Sequence, residues 1–197
     1  MTSPSSKSTA LDKLNSEIAA DESLPLKAAA TQAVPGEGNP DAEILFVGEA
    51  PGKDEDLQGR PFVGAAGKFL TELIESIGLK REDVYIANLL KHRPPGNRDP
   101  LPVEIAAYVP YLDQQVEIIK PKLIVTLGRY SMAHFLGEGL SITKIHGQPK
   151  RNQKGQIILP MYHPAAALYR GDLRPVLKSD FAKIPQVLKL IEERVAS

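Results

Sequence analysis

The 197-residue chain contains no cysteine. Without thiols it cannot form disulfides, thiolate zinc sites, cysteine-ligated iron–sulfur clusters or a cysteine nucleophile. Histidine is also scarce: the four are His92, His134, His146 and His163, and no two are four residues apart, the spacing of a helical metal-binding pair. The sequence therefore predicts a protein without a resident metal.

Long apolar runs are absent too. None approaches the ~20 residues that span a bilayer, and the amino-terminal MTSPSSKSTA is polar. We therefore expect neither membrane insertion nor secretion. With 42% hydrophobic and 24% charged residues, the composition is that of a globular protein. We expect a single domain over residues 1–197, with residues 1–10 disordered.

The formal net charge is zero, with 24 basic and 24 acidic residues, but the charges are unevenly placed. Residues 141–197 hold ten Lys or Arg against four Asp or Glu, whereas residues 41–110 hold eight against twelve. A basic carboxy-terminal third can contact phosphates. The alternative is that these charges simply cover a solvated surface.

Four short apolar runs, at residues 42–48, 84–90, 122–128 and 156–162, have the pattern of buried strands. Helical patterns cover residues 11–20, 65–78, 103–120, 129–137 and 179–195, with a kink or interruption expected at Pro110. This alternation predicts an α/β fold, a three-layer sandwich with a central four-stranded parallel sheet. The Gly- and Pro-rich segments after the strands, GEAPGKDED, NLLKHRPPGNRDP, LGRYS and HPAAALYRG, are predicted to be loops that form the ligand site.

Three of these loops place a polar side chain where a strand ends: Glu49, Asn88 and His163. Histidine can donate a hydrogen bond to a leaving-group oxygen, and an amide can pair with the edge of a flat heterocycle. Phe62, in GRPFVG, could offer a stacking face to a base. The alternatives are a solvated carboxylate in a tight turn, a turn-capping amide, a structural histidine and an inward-packed phenylalanine.

The rigid loop RPPGNR combines Arg93, Asn97 and Arg98, which suits a clamp on backbone phosphates. The alternative is a solvated turn. The chain has neither the Lys-Ser/Thr pair of a P-loop nor a GxGxxG motif, which argues against nucleotide hydrolysis and dinucleotide binding.

Taken together and in this order, the motifs resemble the family-four uracil-DNA glycosylases of bacteria and archaea. The matching stretches are TQAVPGEGNP (31–40), GEAPGKDEDLQGRPFVGAAGKFL (48–70), NLLKHRPPGNRDP (88–100), ITKIHGQP (142–149) and HPAAAL (163–168). The resemblance implies the uracil-DNA glycosylase fold and an enzyme that hydrolyses the N-glycosidic bond of uracil in DNA, leaving an abasic site for base-excision repair. The expected partner is uracil-containing DNA, single- or double-stranded, and the expected state is a cytoplasmic, nucleoid-associated monomer.

The resemblance also implies roles for individual residues. Catalysis is assigned to Glu49 and His163, uracil binding to Gly48, Ala50, Pro51, Gly52, Asp56, Phe62 and Asn88, and DNA binding to Arg93, Asn97, Arg98, Leu168 and Arg170. The role of Glu49 stays open between activating water, stabilising the sugar cation and orienting the loop. For Leu168 the two interpretations are a wedge in the DNA and packing in the core, and the second is favoured.

The chain departs from the family pattern at one point. Family-four enzymes usually hold an iron–sulfur cluster on four cysteines, and the corresponding positions here are Asp21, Leu24, His92 and Tyr108. We therefore expect no cofactor, and expect packing around Leu24 and Tyr108 to replace the cluster. Two alternatives to the uracil enzyme remain, a non-catalytic damaged-DNA-binding module of the same fold and a glycosylase for another deaminated base.

Overall fold

The structure, a computed structural model, describes residues 5–195. Its first helix, α1 (Ser6–Ala20), begins earlier than the predicted one. The hydroxyl of Ser5 accepts a hydrogen bond from the main-chain N–H of Ser8 and so caps this helix. The expectation that residues 1–10 are disordered is therefore wrong for residues 6–10, and residues 1–4 lie outside the described part of the chain.

Within the described residues a six-stranded mixed sheet runs through the molecule in the order β1-β3-β2-β4-β6-β5. The strands are β1 (Glu37–Gly38), β2 (Ile44–Gly48), β3 (Tyr85–Asn88), β4 (Leu123–Leu127), β5 (Lys150–Arg151) and β6 (Ile157–Met161). The four central strands are parallel, as predicted. The antiparallel edge strands β1 and β5 were not predicted, because each has only two residues and lacks an apolar pattern.

Helices cover both faces of the sheet, which confirms the three-layer α/β architecture. Beyond α1 they are α2 (Lys53–Gln58), α3 (Ala65–Ser76), α4 (Pro102–Ile119), α5 (Arg129–Leu136), α6 (Ile142–Ile145), α7 (Ala166–Tyr169), α8 (Leu173–Phe181) and α9 (Ile184–Val195). Successive strand residues alternate between the faces. Ile44 and Phe46 therefore pack with α3, α8 and α9, while Leu45 and Val47 pack with α1, α4 and α5.

Several helix predictions need correction. The short helices α2 and α7 lie in segments that were predicted to be loops because of their Gly and Pro content. The helix expected over residues 179–195 is two helices, α8 and α9, separated at residues 182–183, because Pro185 favours a new first turn over a helix interior. Helix α4 runs through Pro110 as one element. None of the helices described over residues 5–195 is long and apolar enough to cross a bilayer.

Candidate functional site

A cleft of about 420 Å³ opens at the carboxyl edge of the parallel strands. It lies where Glu49 follows β2, Asn88 ends β3 and His163 follows β6, so the sheet topology brings these three distant segments together. The cleft is lined by Glu49, Ala50, Pro51, Gly52, Glu55, Phe62, Ala66, Asn88, Pro94, Asn97, Arg98, His163, Ala165 and Tyr169.

The imidazole of His163 is held in one orientation. Its Nδ1 atom accepts a hydrogen bond from the main-chain N–H of Ala165, at 3.1 Å. Burial lowers the pKa of His163 to about 4, so the ring is neutral at pH 7. A neutral ring that accepts at Nδ1 carries its proton on Nε2. The second nitrogen is therefore a hydrogen-bond donor for a ligand in the cleft.

The Asn88 side chain is buried and lines the same cleft. Its amide oxygen is buried and has no hydrogen-bond partner among residues 5–195. Buried polar atoms are nearly always paired, so an unpaired one beside a cleft is a candidate contact for a ligand donor.

Gly48 allows this arrangement to be compact. A Cβ atom on Gly48 would lie 2.3 Å from the amide oxygen of Asn88 and 2.6 Å from the ring of Phe62. Any other residue would push these two side chains apart. Gly48, which was predicted to bind uracil, does not itself line the cleft. It leaves the space in which the side chains of Asn88 and Phe62 approach each other.

Phe62 is only 5% exposed and stacks on His163, with ring centroids 5.5 Å apart and planes 25° apart. Its backbone has φ = 51°, a left-handed conformation that is rare for residues other than glycine. The guanidinium of Arg81 donates to the carbonyl oxygens of both Pro61 and Phe62 and so stabilises this conformation. Because the rings of Phe62 and His163 are already in contact, a base cannot fit between them.

Glu55, which is not among the predicted site residues, joins the two loops that surround the cleft. One carboxylate oxygen accepts from the N–H of Gly52 at 3.1 Å, and the other accepts from those of Val63 and Gly64, both at 3.0 Å. The loop after β2 and the loop carrying Phe62 are thereby fixed relative to each other. The acidic cluster in GKDED was visible in the sequence, but which of its members bonds across the loop was not.

Asp56 was predicted to bind uracil, and the structure places it elsewhere. Its carboxylate is buried and accepts hydrogen bonds from the N–H and the hydroxyl of Thr31 and, more weakly, from the N–H of Gln32. It does not line the cleft. Asp56 therefore fastens α2 to the amino-terminal segment. Its neighbour Glu55 points to the cleft because the two lie on different sides of the helix.

The carboxyl group of Glu49 has a raised pKa. Burial and repulsion from Asp99 raise its pKa to about 7, and Arg129 opposes the shift. A carboxyl group with a pKa near 7 changes charge in the range where enzymes work. The following residues, Ala50, Pro51 and Gly52, also line the cleft.

The residues predicted to clamp phosphates already have protein partners. Arg93 donates from Nε to the amide oxygen of Asn97, at 2.7 Å. Arg98 donates to both carboxylate oxygens of the buried Glu104, at 2.8 and 2.5 Å. Arg98 therefore fastens the loop after β3 to the start of α4, so it is less available to a phosphate than the sequence suggested.

Residues 168–170 form an exposed corner beside the cleft. Leu168 is 42% exposed, so the favoured interpretation, packing in the core, is wrong. Tyr169, which the sequence analysis did not select, is 90% exposed and lines the cleft. Arg170 is exposed and forms an ion pair with Asp172.

Much of the basic charge near the carboxyl terminus lies far from this cleft. Lys150, Arg151, Lys154 and Arg194 line a separate groove of about 640 Å³, together with Lys122 at the start of β4. This groove lies at the amino edge of the parallel strands, opposite the cleft, because β5 pairs with the beginning of β6. The expectation that the basic carboxy-terminal third contacts phosphates therefore does not apply, at the cleft, to these four residues of that third.

The four positions that correspond to cluster cysteines lie between the amino-terminal segment and α4. His92 and Tyr108 are buried and hydrogen-bonded to each other, with Nδ1 and Oη 2.8 Å apart. Leu24 is buried in the same core, and Asp21 accepts from the hydroxyls of Tyr111 and Ser23. A carboxylate, an isobutyl group, an imidazole and a phenol do not fit an iron–sulfur cluster, which needs thiolates. Over residues 5–195 no group of three or more His, Asp or Glu is placed to hold a metal ion.

Comparison with known proteins agrees with the site geometry. The uracil DNA glycosylase superfamily model matches residues 35–188. The chain is 52% identical over 185 residues to a type-4 uracil-DNA glycosylase of Sulfurisphaera tokodaii, covering 90% of this chain and 84% of that protein. It is 49% identical over 184 residues to the type-4 uracil-DNA glycosylase of Archaeoglobus fulgidus, covering 90% and 92%. The chain belongs to the uracil-DNA glycosylase superfamily.

Proposed function

We propose that this chain is a uracil-DNA glycosylase, which hydrolyses the N-glycosidic bond of uracil in DNA and leaves an abasic site. Several type-4 uracil-DNA glycosylases share about half of its residues over most of its length. The structural observation that carries the proposal is that Asn88, His163 and Glu49 line one cleft, and that the Asn88 amide oxygen has no hydrogen-bond partner in the described part of the protein.

Asn88 is proposed to select the base. A base must leave the DNA stack before an enzyme can cut its glycosidic bond, and this costs a few kcal/mol. Uracil then presents an N–H donor at N3 and an acceptor at O4, and cytosine presents the opposite pattern. The amide oxygen of Asn88 would accept from N3–H while its NH₂ group donates to O4. Cytosine would leave both amide atoms unsatisfied, at about 1–3 kcal/mol for each.

His163 is proposed to stabilise the leaving base. Breaking the bond leaves uracil as an anion whose negative charge develops on O2. The Nε2–H of a neutral imidazole can donate to that oxygen, and the bond becomes stronger as the charge grows. The ring does not have to lose or gain a proton, because its low pKa keeps it neutral at pH 7.

Glu49 is proposed to act in its ionised form on the sugar. The sugar carbon becomes positively charged as the base departs, and a carboxylate stabilises a developing cation. The same group can orient the attacking water, which supplies the hydroxyl of the abasic product, while the other proton of the water goes to the departed uracil anion. Phe62 would contact the base at its free edge, and Ala50, Pro51 and Gly52 would form the pocket wall.

The DNA is proposed to lie across the mouth of the cleft. Exposed apolar side chains serve as wedges in DNA where a base has been extruded, and Leu168 is an exposed leucine next to the cleft. Arg170, Arg93 and Asn97 would contact phosphates, with Arg98 holding their loop in place. We further propose that the protein is a monomer and acts in the cytoplasm, where a prokaryote keeps its DNA.

We also propose that the enzyme works without an iron–sulfur cluster. The His92–Tyr108 hydrogen bond, with buried Leu24, joins the loop after β3 to α4 and the amino-terminal segment. Protein purified from iron-depleted and iron-supplemented cultures is expected to show equal activity and no visible absorption band. A band together with activity that depends on iron would contradict this.

A single-uracil oligonucleotide tests the function. A labelled strand is incubated with the protein and then treated with alkali, which cuts at abasic sites. Cleavage at the uracil, with none in matched strands carrying cytosine or thymine there, is the expected result. A shifted band without cleavage would indicate a binding module, and cleavage only at another deaminated base, such as hypoxanthine, would indicate a different glycosylase.

A further inference from the structure

Lys91, three residues after Asn88, is completely buried. Its ammonium group donates to the main-chain carbonyl oxygen of Asn88 at 2.7 Å and to the side-chain oxygen of Gln115 at 2.6 Å. Within residues 5–195 no carboxylate forms an ion pair with it, and burial alone shifts its pKa. Lysine is almost never fully buried unless it is paired with a charge, because its desolvation is costly. An apolar side chain would fill this space at a lower desolvation free energy, so packing alone does not explain the amine.

Lys91 joins three parts of the fold. Gln115, on α4, donates from its amide nitrogen to the carbonyl of Pro35, at 2.8 Å. The main-chain oxygen of Lys91 accepts from the N–H of Val34, at 2.7 Å. The end of β3 is therefore tied to α4 and to the amino-terminal segment through one buried side chain and its own peptide.

The same turn is attached to the Glu49 loop. The N–H of Leu89 donates to the carbonyl of Gly48, and that of Leu90 donates to the carbonyl of Glu49, both at 3.0 Å. The amide oxygen of Asn88, in contrast, has no partner within residues 5–195. The orientation of the Asn88 side chain therefore depends on where its own peptide is held, and the Lys91 amine holds the carbonyl of that peptide.

We propose that Lys91 is a positioning residue for base excision, which acts by fixing the Asn88 peptide so that the Asn88 amide meets the base. This proposal rests on the proposed function. The amine contacts two acceptors, and it can donate to both whether it is charged or neutral, because even the neutral form carries two N–H bonds. Lys91 can therefore hold Asn88 throughout the neutral pH range, although burial lowers its pKa to about 7.

A double-mutant cycle tests this proposal. Lys91→Met removes the amine and keeps the length of the side chain. The kcat and KM of this variant on a uracil oligonucleotide are measured in the native background and in an Asn88→Ala background, and the two backgrounds are compared. We expect a 10- to 100-fold lower kcat in the native background, KM within about threefold, and less than a threefold effect when Asn88 is already absent.

Gln115→Met removes one of the two acceptors of the amine but leaves the hydrogen bond from the amine to the Asn88 carbonyl. We therefore expect a smaller loss of kcat than for Lys91→Met, with circular dichroism and thermal unfolding used to confirm folding in all variants. If Lys91→Met fails to fold, Lys91→Gln replaces it in the same cycle, because glutamine keeps a hydrogen-bond donor in the buried position. We then expect kcat to fall at least threefold in the native background and to stay unchanged in the Asn88→Ala background.

Equal losses from Lys91→Met in the native and the Asn88→Ala backgrounds would overturn the proposal, because they would show that Lys91 matters only for general stability. A larger loss from Gln115→Met than from Lys91→Met would also overturn it, because the bond to the Asn88 carbonyl would then not be the one that matters. The activity of the native protein distinguishes this failure from a failure of the proposed function. If the native protein cleaves no uracil strand, the proposed function is wrong. If it is active and Lys91→Met has the same effect in both backgrounds, only the inference about Lys91 is wrong.

Discussion

The carbonyl oxygen of Phe62 lies 1.9 Å from the position that a Cβ atom on Gly67 would occupy. Gly67 is in α3, on the helix side that packs against the Phe62 loop. Such close contact of two backbones is possible only without a side chain. It supports the left-handed conformation of Phe62, which places the ring against His163.

Gly67→Ala is therefore expected to destabilise the protein, although alanine is the better helix former by about 1 kcal/mol. The added methyl group must displace the Phe62 peptide, and overpacking of this kind costs about 1–3 kcal/mol or more. Urea unfolding followed by circular dichroism measures the change. We expect the single-turnover rate on uracil DNA to fall as well, because the Phe62–His163 stack moves.

Gly171→Ala serves as the control, since a Cβ atom there meets no atom within 4 Å and its backbone is not left-handed. Its stability is expected to stay within about 0.5 kcal/mol of the native value. Native-like stability of Gly67→Ala would show that the loop can move away without loss and that the contact does not shape the site.

The central strands and the main site residues could be predicted from the sequence for a physical reason. Buried parallel strands require continuous apolar runs, and their carboxyl ends meet at one edge, so Glu49, Asn88 and His163 are expected at the same edge of the sheet. In the structure all three line one cleft at that edge. The edge strands could not be predicted, because two residues with no apolar pattern leave no periodic signal.

The hydrogen-bond partners of the site residues could not be predicted from the sequence. Whether Glu55 or Asp56 faces the cleft depends on where α2 begins, and α2 lies in a segment whose Gly and Pro content indicated a loop. The arginines of RPPGNR look like free phosphate contacts in the sequence, but the fold brings Glu104 to Arg98. Local pattern identifies charged residues, and only the tertiary structure shows which of them are already paired.

The activity is expected to rise with pH as Glu49 ionises. Its pKa is raised to about 7, so below pH 7 the group is mainly the neutral acid and cannot stabilise the sugar cation. The single-turnover rate should therefore fall about tenfold for each pH unit below 7 and level off above it. Glu49→Gln should lose this dependence along with most of the activity.

Two neighbouring variants should move this profile in opposite directions. Asp99 raises the pKa of Glu49 and Arg129 lowers it. Asp99→Asn is thus expected to shift the rising limb to lower pH and Arg129→Gln to higher pH, each by about half a unit or more. Profiles that shift the same way in both variants would mean that another group controls the limb.

Tyr108→Phe tests the hydrogen bond at the positions that correspond to cluster cysteines. It leaves Nδ1 of the buried His92 without its partner, which costs about 1–3 kcal/mol. Differential scanning calorimetry is expected to show a Tm lower by several degrees. Tyr111→Phe removes a hydroxyl that contacts the more exposed Asp21, and it should cost less. Equal Tm values for Tyr108→Phe and the native protein would rule out a stabilising role for the His92–Tyr108 pair.

The most direct measurement is the single-turnover rate of His163→Ala on an oligonucleotide with one uracil. The substitution removes one oriented hydrogen-bond donor that would contact the departing base. We expect this to lower the rate by about two to three orders of magnitude and to leave DNA binding nearly unchanged. His134→Ala, which removes a histidine that pairs with Asp113 away from the cleft, is the control and should keep the native rate. A His163→Ala rate close to the native one would contradict the assignment of this cleft as the site where the glycosidic bond is broken.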